Sequence, residues 1–89
     1  MNLLEDIAKL GHSIRIGDNT DIGNVKNIAQ EIYNTADELS RKGAKITQLL
    51  KYTQNMLKAY EQWDTITLAD TLEYELLDEL EALLKSVKS

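Results

Sequence analysis

The sequence predicts an all-α protein, an antiparallel helical bundle of four helices that occupies residues 1–89 as a single domain. Two observations predict this fold class. Proline is absent and only four residues are glycine, so little in the composition would interrupt a helix. Apolar residues recur at steps of three and four along most of the chain, which is the period of one helix face.

The last quarter of the chain, residues 64–89, carries the strongest helical pattern. Ile66, Leu77 and Leu84 widen its apolar arc to roughly half of the helix circumference, more than an ordinary surface helix has. We therefore expect this helix to contact two or three neighbours, with Asp64 or Thr65 as its N-cap. The residues of its central apolar face are Leu68, Ala69, Leu72, Leu76, Leu80, Leu83 and Val87.

Three further helices are predicted in the preceding residues. The first spans 2–16 and ends at Gly17, a typical C′ residue; the second spans about 20–42, and the third spans 44–62. The apolar face of the first helix includes Gly11, where the missing side chain allows a neighbouring helix to approach closely. Tyr60 and Trp63, near the end of the third helix, are expected to pack in the core.

The junction at Gly43 has two interpretations. Arg41, Lys42 and Gly43 are typical of a helix C-terminus, and a break there gives a four-helix bundle. Against a break, no N-cap residue precedes Ile46, and the apolar pattern continues in heptad register from Leu39 onward. A continuous helix would be roughly 65 Å long and would need a partner chain, which gives a dimeric bundle around a long central helix. We prefer the break.

The charge pattern limits the classes of partner. A net charge of −5 argues against nucleic acid, because phosphate contacts need clustered Lys and Arg. Residues 39–60 contain five basic and no acidic residues, whereas residues 61–81 contain eight acidic and no basic ones. We expect these two helices to present complementary surfaces to each other. The sequence has no signal-peptide pattern and no apolar run of about 18 residues, so we expect a cytoplasmic protein without a membrane partner.

His12, the only histidine, is predicted to lie on the exposed side of the first helix. With Arg15 three residues later and a glycine soon after, it loosely resembles the phosphoacceptor motif of histidine phosphotransfer domains, which are helical bundles. An exposed imidazole that titrates near neutral pH is a usable nucleophile. Here Gly17 comes one residue late and ends the helix, so an ordinary surface histidine is the simpler interpretation. Acid-labile phosphorylation at His12 would support the phosphotransfer alternative.

Glu73 lies inside the apolar arc of the last helix, where an unpaired carboxylate would be costly. Arg15, Lys42 or a tyrosine hydroxyl could pair with it and so fix the register of the helices. A metal-dependent role for Glu73, Asp70 and Glu75 is a more distant hypothesis. The chain lacks Glu-x-x-His pairs, Gly-rich phosphate loops and Ser/His/Asp sets, so we predict no enzymatic activity, no cofactor and no resident metal.

Tyr74 falls on the polar side of the last helix, between Glu73 and Glu75. We predict that it contacts a partner, because tyrosine is enriched in protein interfaces. The candidate partner-binding residues are therefore Tyr74, Glu73, Glu75 and Asp70, together with Tyr52 at the edge of the apolar face of the third helix.

Residues 64–80 (DTITLADTLEYELLDEL) carry a resemblance to a known family. The positions that carry it are Leu68, Ala69, Asp70, Leu72, Glu73, Tyr74, Glu75 and Leu76. The segment resembles the C-terminal signature of a family of small, uncharacterised bacterial helical proteins, in which a loop leads into an Ala-Asp-x-Leu-Glu-Tyr-Glu-Leu helix. Family members often have proline where this chain has Asp78, so the helix here can run further. The resemblance implies a helical fold and a bacterial origin, and it implies no activity.

These patterns favour a protein that acts through protein–protein contacts, because they specify helix faces and surface charge and no reactive site. We predict a small acidic adaptor, chaperone-like or regulatory protein whose partner is another protein or a second copy of the chain. A more specific version is a helical export chaperone, flagellar ones included, which binds partner helices in an apolar seam.

Overall fold

Four helices make up the computed structural model, which describes residues 2–87. Helix α1 is Leu3–Arg15, α2 is Asn24–Arg41 and α3 is Thr47–Glu61. Helix α4 covers residues 65–87 in three consecutive segments, which are α-helical Thr65–Asp70, π-helical Thr71–Leu76 and α-helical Leu77–Val87. No strand occurs in residues 2–87, and the predicted all-α bundle is confirmed. The predicted ends of the domain and of the last helix, at residues 1 and 89, lie outside the described residues.

Helix α4 is the central element of the bundle, as the sequence predicts. It contacts all three other helices, and α1 packs along its first two segments. Its most deeply buried side chains are no more than 1% exposed, and they are Leu68, Ala69, Thr71, Leu72, Leu76 and Leu80. Helices α2 and α3 pack against each other and complete the core. The Cα radius of gyration, 12.5 Å, is typical of a compact domain of this length.

The break at Gly43 is confirmed, and its hydrogen bonds explain why the chain turns there. Gly43 has a φ of +92°, which is the left-handed region that glycine adopts without steric cost. Its N–H donates to the Ser40 carbonyl, and the Ala44 N–H donates to the Leu39 carbonyl, each at 3.0 Å. This pair of bonds is a Schellman motif, and Gly17 ends α1 in the same way. The alternative of one long central helix is therefore wrong.

Trp63 ends α3 in a third Schellman motif, although it is not a glycine. Its φ is +57°, its N–H donates to the Tyr60 carbonyl at 3.1 Å, and the Asp64 N–H donates to the Ala59 carbonyl at 2.9 Å. The indole is 60% exposed, so the expectation that Trp63 packs in the core is wrong. The physical reason is that the turn itself directs the chain, and with it this side chain, away from the core.

Replacing Trp63 with glycine is expected to raise the free energy of unfolding by about 1 kcal/mol. A left-handed backbone costs an L-residue about 1–2 kcal/mol, and glycine avoids this cost. Glycine also gives the unfolded chain more conformational entropy, which offsets part of the stabilisation. Gly43→Ala is the matched control, because it forces a side chain into the same conformation and should destabilise. Urea unfolding measures both variants. A destabilised Trp63→Gly protein would show that the indole's contact with Tyr60, at a ring-centroid distance of 6.4 Å, outweighs the backbone strain.

Helices α2 and α3 begin later than the sequence predicts. Helix α2 begins at Asn24, and its N-cap residue, Gly23, makes no side-chain cap hydrogen bond. The carboxylate of Asp18 lies in the loop that precedes the helix. That carboxylate accepts hydrogen bonds from the Thr20 hydroxyl at 2.6 Å and from the Thr20 N–H at 3.1 Å. These bonds, the hydroxyl first, hold the pKa of Asp18 below its ordinary value. Helix α3 begins at Thr47, after a short non-helical connection.

Asp64 caps α4, as predicted. Its carboxylate accepts hydrogen bonds from the Thr67 hydroxyl at 2.7 Å and from the Thr67 N–H at 3.1 Å. The hydroxyl and then the N–H lower the pKa of Asp64 from its ordinary value of 3.8. Because the pKa is lower in the folded state than in the unfolded chain, the cap stabilises the fold fully above about pH 4, and this contribution is lost as the pH falls through the folded-state pKa.

Candidate functional site

The π-helical segment of α4 sets which side chains of the last helix face outward. The buried leucines of this region follow one another at steps of four residues: Leu68, Leu72, Leu76 and Leu80. In a regular α-helix each such step overshoots a full turn by about 40°, so three steps would spread the leucines over about 120°. The π segment accommodates one additional residue in the turn, which keeps all four leucines in the core.

A second row of residues runs along the outer side of α4, two positions away from the buried leucines. We call these residues the outer ridge, and they are Ile66, Asp70, Tyr74 and Asp78. Two positions along a helix correspond to a rotation of about 200°, which places the ridge nearly opposite the core. Ile66 is 75% exposed and Tyr74 is 58% exposed. The expectation that Ile66 widens the buried arc is therefore wrong, because its position in this row directs it outward.

Arg15, in the last turn of α1, joins α1 to the outer ridge. Its Nη2 donates to Asp70 Oδ1 at 2.6 Å, and its Nε donates to Glu73 Oε1 at 2.9 Å. Its guanidinium carbon lies 5.4 Å from the centre of the Tyr74 ring, within cation–π range. The hydrogen bonds, that to Asp70 first, raise the pKa of Arg15 further above its ordinary value. We call Arg15, Asp70, Glu73 and Tyr74 the Arg15 cluster.

Gly11 lies one turn before Arg15 and allows α1 to approach α4 closely. A Cβ atom built on Gly11 would lie 2.6 Å from Cγ of Glu73 and 3.2 Å from Cβ of Leu72. The close approach puts Glu73 within hydrogen-bonding distance of the guanidinium. Of the partners that the sequence offers for Glu73, the structure therefore provides Arg15.

The other predicted site residues lie outside the Arg15 cluster. Glu75 is half-buried, accepts a 3.4 Å hydrogen bond from the Thr71 hydroxyl and lines a cavity of about 160 Å³ between α3 and α4. Tyr52 is half-buried on α3, where its hydroxyl oxygen accepts a hydrogen bond from the Gln48 amide at 3.3 Å. His12 is exposed, as predicted, and its phosphotransfer role stays a prediction.

The metal hypothesis gains no support from the arrangement of these carboxylates. Within residues 2–87, no three His, Asp or Glu side chains are grouped so that they could hold a metal ion. Asp70 and Glu73 are instead hydrogen-bonded to the Arg15 guanidinium. In the same part of the chain, no helix has the length and apolarity needed to cross a membrane.

The opposite charges of α3 and α4 are not paired with each other. Across the described chain, the only salt bridges between helices are the two that Arg15 makes. The remaining two, Arg41–Asp37 and Lys85–Glu81, each lie within one helix. The expected charge complementarity between α3 and α4 is thus not expressed as ion pairs between these two helices.

A larger cleft of about 570 Å³ lies between α1 and α2. Its walls are mostly polar or charged, and its floor is the edge of the core at Leu10 and Ile28. The charged side chains that line it are Asp6, Lys9, Asp21 and Glu31. None of the residues predicted from the sequence to bind a partner lines this cleft.

Comparison of the chain with protein-family models, with curated proteins and with solved structures returns no match. The resemblance of residues 64–80 to a family of small bacterial helical proteins therefore stays a prediction. Function has to be argued from the Arg15 cluster and the surface around it.

Proposed function

We propose that the chain is a non-enzymatic protein–protein interaction module that binds another protein at the outer ridge. One observation carries the proposal. In residues 2–87 the exposed large apolar side chains are Ile16, Trp63, Ile66 and Tyr74. Tyr74 belongs to the Arg15 cluster, Ile16 follows Arg15 in the chain, and Ile66 lies one turn before Asp70. Exposed apolar residues that gather at one place, rimmed by polar groups, are typical of an interaction surface.

The antiparallel arrangement of α1 and α4 supports the grouping of these three residues. Gly11 lies against Glu73, and Arg15, one turn later on α1, reaches Asp70, which is earlier on α4. The chain beyond Arg15 therefore leads toward the start of α4, where Ile66 lies one turn before Asp70. Ile16 follows Arg15 directly and is 66% exposed. Ile16, at the end of α1, and Ile66, on α4, thus flank the two ion pairs of Arg15.

The Arg15 cluster also fits the chemistry of a binding site. Two carboxylates hold the guanidinium, and the guanidinium lies over the Tyr74 ring, so both side chains are ordered before a partner arrives. A side chain that is already ordered loses less conformational entropy on binding. Tyrosine and arginine are, with tryptophan, the residues that contribute most often to binding free energy in interfaces.

A different protein fits the ridge better than a second copy of the chain does. In a two-fold symmetric dimer the same patch meets itself. A two-fold axis at the ridge would bring Asp70, Glu73 and Asp78 against the same residues of the other copy, and only Arg15 would offset them. Like charges placed opposite one another in an interface oppose association.

A photo-crosslinking amino acid placed at Ile66 tests the proposed function in cells of the source organism. We expect it to capture a defined partner, and we expect the same reagent at Gln54, an exposed position of α3, to capture none. Adding Tyr74→Ser to the Ile66 variant should abolish capture. The captured protein, once purified, should form a complex with the unmodified chain. Equal capture from both positions, or capture that Tyr74→Ser leaves unchanged, would contradict the proposal.

A further inference from the structure

We infer that the partner segment at the outer ridge is basic and carries apolar side chains along one side, an inference that rests on the proposed function. The acidic side chains of α4 outnumber its described basic ones by six to one. They are Asp70, Glu73, Glu75, Asp78, Glu79 and Glu81, and Lys85 is the basic residue. Their distribution relative to the ridge identifies the charge of the partner.

Few of these acidic side chains have a cation of their own. Lys85 pairs with Glu81, and Arg15 pairs with both Asp70 and Glu73, so the Arg15 cluster keeps one negative charge. Asp78 and Glu79 make no salt bridge within residues 2–87, and Asp78 is the exposed end of the ridge. The ridge therefore presents apolar contacts in an acidic surrounding, which is electrostatically complementary to a partner rich in Lys and Arg.

The spacing along the ridge indicates how such a partner would contact it. Ile66 and Tyr74 are two turns apart on α4, so they are separated by roughly 11 Å along the helix axis. An amphipathic partner helix that lies along α4 can place two apolar side chains, two turns apart, against these residues. Basic side chains that flank its apolar side would then reach the cluster and Asp78.

A second copy of the chain would supply basic charge only from a different face. The exposed lysines of α3 are Lys51 and Lys58, and Lys45 lies just before this helix. If α3 of one copy lay on the ridge of another, each added copy would leave a free ridge and a free α3. Such a head-to-tail contact gives open assemblies unless its rotation closes a ring. A basic segment of a different protein occupies the ridge without this consequence.

The experiment uses three synthetic peptides of about 18 residues, long enough to form an amphipathic helix on the protein. One has leucine along one face and lysine elsewhere, the second replaces every lysine with glutamate, and the third scrambles the lysine peptide. Amide chemical shifts of the ¹⁵N-labelled chain locate the binding. We expect the first peptide to shift residues 15–16 and 66–78, with an affinity that falls several-fold between about 50 and 200 mM salt. We expect the other two peptides to leave these residues unshifted.

Substitutions separate the apolar and the charged contributions to this binding. Tyr74→Ser should lower the affinity for the lysine peptide about tenfold, a loss typical of an interface tyrosine. Gln54→Ser on α3 should leave this affinity unchanged. Asp78→Lys should lower the affinity for the lysine peptide about threefold more than Glu38→Lys does. Glu38→Lys makes the same charge change on α2, and only Asp78 lies on the ridge. Circular dichroism of each variant confirms that it is folded.

Each contrary result overturns the inference in a distinguishable way. If the glutamate peptide binds the ridge as tightly as the lysine peptide, the partner is not basic, although the interaction surface stands. If the scrambled peptide binds equally, or the lysine peptide maps to another face, the attraction is only that of an acidic protein. If the ridge amides shift with protein concentration alone, a second copy is the occupant. Crosslinking from Ile66 uses no peptide, so it tests the proposed function separately.

Discussion

Deleting Tyr74 should leave the four-helix fold intact and change the free energy of unfolding by no more than about 1 kcal/mol. The deletion of a residue from the middle of a helix normally rotates everything after it by about 100°. Here it would remove the additional residue of the π segment and return α4 to a regular α-helix. The side chain that is lost is mostly exposed, so the core loses little contact.

The spacing of the apolar residues gives the reason. Along the present chain the steps between the leucines and the final valine of the apolar face are four, four, four, three and four residues. Without Tyr74 the second step becomes three, and the steps alternate between four and three, which is the a/d pattern of a regular amphipathic helix. The residues concerned are Leu68, Leu72, Leu76, Leu80, Leu83 and Val87.

Deletion of Asn34 is the matched control. Asn34 is exposed, lies in the middle of α2 and precedes Ala36 and Leu39, which are 1% and 3% exposed. Because α2 has no π segment, deletion of Asn34 should turn these side chains out of the core. We expect it to lower the free energy of unfolding by about 4 kcal/mol or more. Thermal unfolding followed by circular dichroism compares the two proteins. Equal destabilisation by both deletions would show that the π segment does not act as an accommodated insertion.

The Tyr74 deletion also separates folding from binding. It removes one of the three apolar residues of the proposed surface and the ring that the Arg15 guanidinium contacts. We therefore expect a folded chain that no longer responds to the lysine peptide. The π segment would then be a feature that adds a surface residue to a helix whose core does not require it, which agrees with the frequent occurrence of such segments at functional sites.

The π segment could have been read from the sequence. Three successive four-residue steps between leucines have a period of 4.0 residues, which exceeds the 3.6 of an α-helix. An interpretation based on a regular wheel treats the resulting drift as a wide apolar arc. That interpretation places Ile66 in the core, although the structure puts it on the outer ridge. The fold class did not depend on the error, because the leucines are buried under either reading.

Local turn chemistry explains the remaining differences between sequence and structure. Gly17 and Gly43 are predictable as helix ends, because glycine adopts the left-handed conformation that a Schellman motif needs. Trp63 takes the same conformation without that signal, so its exposure could not be expected from residue type. Arg15 is one of the partners that the sequence predicts for Glu73. Its selection over Lys42 depends on the approach of α1 to α4 at Gly11, which is a tertiary property.

Gly11→Leu should destabilise the fold by about 3 kcal/mol, and by more than any other single glycine substitution in the chain. Even the first added carbon would lie 2.6 Å from Cγ of Glu73 and 3.2 Å from Cβ of Leu72, and Leu72 is fully buried. Helix α1 can relieve these contacts only by moving away from α4. Such a movement uncovers part of the core and separates Arg15 from its carboxylates.

Gly23→Leu is the control for the Gly11 substitution, because it adds the same side chain at a glycine with a φ of −62° and no heavy atom within 4 Å of an added Cβ. We expect it to change the free energy of unfolding by no more than about 1 kcal/mol. For a domain of this size, the difference between the two variants corresponds to a melting temperature lower by roughly 10 °C or more for Gly11→Leu. The Nε–H resonance of Arg15 provides a local readout, because this proton is donated to Glu73. It should shift toward the position of a solvent-exposed arginine in Gly11→Leu and stay unchanged in Gly23→Leu.

Equal stability of the two variants would contradict this prediction. It would mean that α1 can move away from α4 at little cost, so that the packing at Gly11 does not hold the Arg15 cluster in place.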